Sequence, residues 1–221
     1  MEFLNIEDIE KASKVLMDEQ VLAFPTETVY GVGCVYDSKL AFDRLVAIKR
    51  RPPNKPFALM CSSLEEASKY IEVSEKAKAV MDHFLPGELT VLVNAKKSLP
   101  EWVTLGTDVI GIRVPDSPFV KKLIEAVGKP LLVTSANKSG EPTTKYFDDV
   151  VKAFGDELPA AIKGECESLT PTTIINLTAD DKITLVREGP IPFEKILAYW
   201  EEKNENLTWK RSRRLRIKGS H

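Results

Sequence analysis

The strongest constraint on this chain is a junction that recurs along it. A short apolar run ends abruptly in hydroxyls, cations, prolines or glycines. Val21 to Phe24 runs into Pro25-Thr26-Glu27-Thr28-Val29-Tyr30-Gly31, and Tyr30 to Val35 continues as a second run. Phe57 to Cys61, Ile110 to Val114, Leu131 to Val133, Thr172 to Leu177 and Ile183 to Val186 follow the same plan, and Leu89 to Val93 is a further apolar run. Each run is short and bounded by turn residues, which suits a buried strand better than a helix. Between them lie segments with helical spacing. Asn5 is placed to cap a helix through Ile6, Ile9, Ala12, Val15 and Leu16, and Asp37 or Ser38 to start one through Leu45 and Ile48. Ser63 and Glu66 have capping-box spacing, Ser74 caps a helix ending near Phe84, and Ser117 with Pro118 opens a helix to Val127. Further helices are predicted over Asp148 to Phe154 and Phe193 to about Glu202. Strands and helices that alternate, with some strands close together, predict an α/β domain. Its core is a twisted, mixed, open sheet flanked by helices.

Composition removes several kinds of chemistry. The chain has two histidines, His83 in a helical segment and His221 at the end, so neither a Ser-His-Asp triad nor a histidine metal site is expected. Cys34, Cys61 and Cys166 are odd in number and form no C-x-x-C, which points to reduced thiols rather than a disulfide frame or zinc site. The acidic N-terminus does not read as a signal peptide, and no apolar run approaches the ~20 residues of a membrane span. A cytoplasmic protein without membrane contact is expected. One domain is predicted over residues 1–205, followed by a basic tail over 206–221. That tail holds six of the 31 basic residues and none of the 33 acidic ones, so the body is acidic. It reads either as a disordered, solvated end, its final Gly-Ser-His resembling an appended remnant, or as an electrostatic arm for RNA.

The polar clusters carry the functional signal, because ligands of open α/β sheets sit beyond strand ends. The Thr26–Gly33 stretch is neither a phosphate-binding P-loop nor a dinucleotide fingerprint. By spacing alone it is a tight turn in which Thr26 and Thr28 satisfy nearby backbone. Lys49, Arg50, Arg51 and Lys55 place four cations in seven residues beside three prolines, enough to neutralise a polyphosphate or simply to decorate a helix end. Ser135 and Asn137 can bind a ligand or build a turn. Arg113 lies inside an apolar strand and must meet either an acid of the protein or an anionic ligand. Thr172 and Arg187 flank the last two strands. Cations and hydroxyls without a nucleophile–base pair favour binding and aligning anionic substrates over covalent catalysis.

Taken in order, PTETVYG (from Pro25), KRRP (Lys49), IGIRVP (Ile110), TSANKSG (Thr134), PTT (Pro171) and VREG (Val186) resemble the YrdC/YciO family of threonylcarbamoyl-AMP synthases, over about Val21 to Gly189. The resemblance implies a YrdC-like fold with a concave cavity, in its single-domain form. It implies that L-threonine, bicarbonate (or CO2) and ATP, with Mg2+, give L-threonylcarbamoyladenylate and pyrophosphate for the t6A modification of tRNA adenosine 37. It also implies roles: Lys49 and Arg51 as catalytic, phosphate-holding cations; Lys55, Ser135, Asn137, Thr143 and Arg187 at ATP; and Thr28, Arg113 and Thr172 at threonine. No metal-ligating residue is assigned. Glu27 is left either to orient its loop or to help hold the metal. Met60 stands where many synthases carry histidine. The partners implied are tRNA or double-stranded RNA and tRNA-modifying proteins. The alternative is a YciO-like RNA- or nucleotide-binding protein without synthase activity.

Overall fold

A mixed sheet organises the computed structural model, which describes residues 1–203. The elements are β1 (Glu2–Leu4), α1 (Ile9–Met17), β2 (Leu22–Phe24), β3 (Gly31–Val35), α2 (Lys39–Lys49), β4 (Ala58–Met60), α3 (Leu64–Ser68), β5 (Ile71–Glu72), α4 (Glu75–Phe84), β6 (Leu89–Ala95), α5 (Glu101–Thr104), β7 (Val109–Arg113), α6 (Pro118–Val127), β8 (Leu131–Ser135), α7 (Phe147–Phe154), β9 (Ala160–Ile162), β10 (Thr173–Asn176) and β11 (Thr184–Arg187). A further helix occupies 193–203. The strand order is β1-β9-β2-β3-β8-β4-β7-β6-β10-β11, with β5 paired to β6. Parallel pairs (β1–β9, β9–β2, β4–β7, β6–β10) interleave with antiparallel ones.

The central strands β2, β3 and β8 are largely buried, which is why they read as continuous apolar runs. Gly33 shows how closely β3 and β8 approach: a Cβ there would lie 2.6 Å from the Leu132 carbonyl oxygen. Helix starts follow the side chains expected of them. Ser38, Ser63, Ser74 and Ser117 each accept a backbone N–H three residues on. The capping box at α3 is offset by one residue, since Glu66 reaches back to the N–H of Ser62 rather than that of Ser63.

Some expectations fail. Asn5 does not cap α1, which begins at Ile9 with Asp8 in the cap position; Asp8 instead accepts the Asn5 N–H. Strands β1, β5 and β9 and helix α5 were not expected. β1 and β9 are three residues each and gain strand character only by pairing in parallel with each other and with β2. The expected basic tail over 206–221 lies outside the described residues. Among the described residues no helix is long and apolar enough to cross a membrane.

Candidate active site

One cavity collects the polar ends of several strands. Arg113 closes β7, Ser135 closes β8, Thr172 precedes β10 and Arg187 closes β11; Arg51 enters from the loop after α2. Sheet pairing holds them in register: Met60 is opposite Arg113 across β4–β7, and Gly31 opposite Ser135 across β3–β8. Met60 also lines this cavity.

Arg51 owes its direction to the end of α2. Arg50 adopts left-handed φ and ψ (49°, 46°), and its N–H caps the helix on the Ala47 carbonyl. The chain therefore turns between Lys49 and Arg51. The proline-rich loop wraps the Arg51 guanidinium, which donates to the carbonyls of Lys55 (2.8 Å) and Pro56 (2.6 Å) and to Thr134 Oγ1 (3.2 Å). Its carbon lies 4.4 Å from the Phe57 ring centroid. Every oxygen holding it is neutral. Burial lowers its pKa to about 10.

Lys49 is placed differently. It is 1% exposed and does not line the cavity. Its ammonium donates to the Ser135 carbonyl (2.6 Å), the Asn137 carbonyl and Asn137 Oδ1 (3.2 Å). It thus pins the Ser135–Asn137 segment from behind. Burial, then the charges of Arg51 and Lys138, pull its pKa down to about 7, while its three acceptors favour the charged form. Asn137 completes the pin: Ser135 Oγ donates to its Oδ1 at 2.6 Å, and its Nδ2 donates to the Glu141 carbonyl at 2.6 Å. Asn137 and Thr143 line an adjoining pocket with Lys138 and Glu141 rather than the central cavity. Thr143 Oγ1 donates to the Leu169 carbonyl at 3.2 Å. Lys55 is exposed and contributes its carbonyl to Arg51.

At the other end of the cavity Arg113 is buried against the loop after β2. Its Nη2 donates to Glu27 Oε1 and Thr28 Oγ1, each at 2.8 Å, and approaches Thr26 Oγ1 at 3.3 Å. The turn expected at this loop is present, since Thr26 Oγ1 accepts the Thr28 N–H and donates to the Val29 carbonyl. Thr28 is fully buried and lies behind Arg113, not on the cavity wall. The protein acid that Arg113 meets is Glu27. Arg187 donates from Nε and Nη2 to the Thr172 carbonyl (3.1 and 2.7 Å), and Thr172 Oγ1 meets Thr90 Oγ1 at 2.8 Å. Burial, then the positive charge of Arg113, lowers the Arg187 pKa. Burial, then Glu27, raises that of Glu88.

Of the residues expected at the site, Arg51, Arg113, Ser135, Thr172 and Arg187 therefore meet on one wall. Lys49 and Thr28 stand behind that wall, Asn137 and Thr143 face the neighbouring pocket, and Lys55 lies outside. Thr90 was missed, because a lone threonine in an apolar strand carries no signal until β6 pairs with β10. Lys138 was also missed: it is buried, 2.9 Å from Glu157, and donates to the Ile48 carbonyl at 3.0 Å.

A family model described as "Telomere recombination" (Sua5/YciO/YrdC) matches residues 14–189. A threonylcarbamoyl-AMP synthase of Enterobacter sp. (strain 638) is 37% identical over 169 residues, 75% of this chain and 89% of that protein. A second, of Vibrio campbellii, is 36% identical over 163 residues, 72% and 88% of the two chains. Among solved structures, P. abyssi Sua5 complexed with L-threonine superposes with a TM-score of 0.85 at 29% identity, over 90% of this chain and 61% of that one. The chain thus spans about three-fifths of Sua5. E. coli YciO superposes with a TM-score of 0.78 at 30% identity, over 86% and 96%.

Proposed function

The chain belongs to the Sua5/YciO/YrdC family, and from that premise we propose that it is an L-threonylcarbamoyladenylate synthase. Its substrates are L-threonine, bicarbonate or CO2, and ATP. The observation that carries this reading is the single cavity whose wall joins Arg113 and Thr172 to Arg51, Ser135 and Arg187. Such a wall suits a small carboxylate at one end and a polyphosphate at the other.

The reaction needs no protein nucleophile. The threonine amine attacks CO2, loses a proton and becomes a carbamate; from bicarbonate, one water is also lost. A carbamate oxygen then forms a bond to the α-phosphorus of ATP while the bond from that phosphorus to the bridging oxygen breaks, and pyrophosphate leaves. Arg113 holds the threonine carboxylate, with Thr172 beside it. Arg51 and Arg187 meet charge spreading over phosphate oxygens, and Ser135, whose hydroxyl hydrogen is held by Asn137 Oδ1, lies at the rim. Lys49, Asn137 and Thr28 act behind this wall by fixing Ser135 and Arg113. Thr143 and Lys55 lie outside it. The apolar part of the lining (Phe57, Met60, Leu92, Val133) keeps water from the carbamate and the mixed anhydride.

Among the described residues no three His, Cys, Asp or Glu side chains cluster to hold a metal. Mg2+ brought in by the ATP phosphates would supply charge neutralisation beside Arg51 and Arg187. The product serves tRNA-modifying partner proteins acting on adenosine 37, in the cytoplasm.

The deciding experiment measures pyrophosphate released from ATP with and without L-threonine and bicarbonate. Release that requires both is expected. Release indifferent to threonine overturns the reading and returns the chain to nucleotide or RNA binding.

A further inference from the structure

The sequence left Glu27 between orienting its loop and helping to hold the metal, and the structure pairs it with Arg113. Its carboxylate forms a buried ion pair with Arg113, the two side chains being 7% and 10% exposed. Arg113 Nη2 has two hydrogens, and the oxygens of Glu27, Thr28 and Thr26 compete for them. That nitrogen is saturated. Nη1 has no partner among the described residues, and it is not among the fully enclosed atoms that lack one, whereas Nε is. Arg113 lines the central cavity; Glu27 instead lines a separate small pocket with Asp116, Glu165 and Glu167. The carboxylate therefore grips the guanidinium from the side away from the cavity.

As a stabilising device the pair is poor. Both ions are desolvated, and Glu27 Oε2 and Arg113 Nε remain buried without partners among the described residues. A matched apolar pair would serve stability at least as well. The arrangement makes sense as a device for direction. Arg51 and Arg187 are held by neutral oxygens and keep their full charge for phosphates. Arg113 is already neutralised once, so it attracts a polyphosphate weakly and a small carboxylate locally.

We propose that Glu27 is a positioning residue for the amino-acid substrate. By clamping Nη2 it turns the Nη1 edge of Arg113 to the cavity, and by neutralising the guanidinium it reserves that edge for the threonine carboxylate against the ATP phosphates. This rests on the synthase reading.

The test compares Glu27→Ala, Glu27→Gln and Glu27→Asp with the unaltered protein, measuring KM for threonine and for ATP separately by pyrophosphate release and folding by thermal melting. In Glu27→Ala the threonine KM is expected to rise about tenfold or more, the loss of one charge-assisted hydrogen bond, and ATP, its own KM unchanged, to compete with threonine. Glu27→Gln keeps an acceptor for Nη2 but not the charge. It should recover part of the threonine KM while ATP begins to compete with threonine. Glu27→Asp should recover more of the threonine KM without that competition. If Glu27→Ala does not fold, Glu27→Gln decides: ATP competition with threonine supports the inference, and its absence overturns it. An unchanged threonine KM, or equal rises for both substrates, also overturns it. Should the unaltered protein release pyrophosphate without regard to threonine, the synthase reading fails and the inference with it. A threonine-dependent protein whose Glu27 variants behave normally loses the inference alone.

Discussion

The two ends of the cavity hold their cations in opposite ways. At the Arg113 end the positive charge meets a carboxylate within 2.8 Å and is neutralised inside the protein. At the Arg51 end the guanidinium is held, among the described residues, by carbonyls and a hydroxyl, and Lys49 behind it likewise by Ser135 and Asn137 oxygens. Dipoles orient a cation without cancelling it, and a carboxylate does both. One fold thus offers an uncompensated positive end, suited to a triphosphate, and a neutralised, directional end, suited to one small carboxylate.

Arg113→Ala should separate the ends most sharply. It removes the carboxylate anchor and strands Glu27 in the interior, a loss of about 3–5 kcal/mol when one partner of a buried pair is deleted. The threonine KM should rise on the order of 100-fold, with a lowered melting temperature and an unchanged ATP KM. Equal rises in both constants would break the comparison. Arg51→Ala should do the converse. Loss of charge-assisted contacts worth about 1.5–3 kcal/mol should raise the ATP KM at least about tenfold and leave threonine alone.

Gly189→Ala should blur the two ends together. An added Cβ would lie 2.3 Å from the Thr173 nitrogen and 2.5 Å from the Pro171 oxygen, backbone atoms that no side-chain rotation can relieve. Overpacking of this kind costs about 1–3 kcal/mol. Because Thr172 joins Arg187 to Thr90, both KM values should rise modestly, read in the same assay beside a melting curve. A rise confined to one substrate would show that Thr172 belongs to one end only.

The smallest effect concerns pH. Lys49 has a pKa lowered by burial to about 7, so from there up to the ordinary lysine value the unfolded chain holds a proton that the folded chain has released. Folding stability should therefore gain from Lys49 as pH rises through that window, and lose that gain as pH falls to about 7. Buried Cys34 and Cys61, whose pKa values are raised by burial, act in the opposite sense once unfolded thiols ionise. Denaturant melts between pH 7 and 8 isolate the lysine contribution, and Lys49→Met should flatten the slope there. An unchanged slope would mean that Lys49 stays charged on its three oxygen acceptors.

Much of the fold was legible because it rests on local chemistry. Serine caps at 38, 63, 74 and 117 satisfy orphan N–H groups a few residues away, so spacing alone locates them. Runs such as Leu131–Val133 are apolar because the sheet buries both their faces. β1 and β9 escaped notice because three-residue strands are made by their neighbours, 158 positions apart at Glu2 and Ala160. At the site, Arg113, Ser135, Thr172 and Arg187 stood out as polar groups at the ends of apolar runs. Their partners did not, since Thr90, and Glu27 as the mate of Arg113, are defined by contacts across the sheet.

The sequence by itself determined the alternation of strands and helices, the family, and which residue types carry anionic chemistry, because periodicity, caps and ordered motifs are properties of neighbours in the chain. Tertiary structure alone decided which cations face the cavity. Lys49 and Arg51 are two positions apart, yet one is sealed behind the Ser135 segment while the other lines the wall, separated by the left-handed turn at Arg50. Whether a charge is available to a ligand depends on what surrounds it on every side, and the chain delivers most of those surroundings from far away.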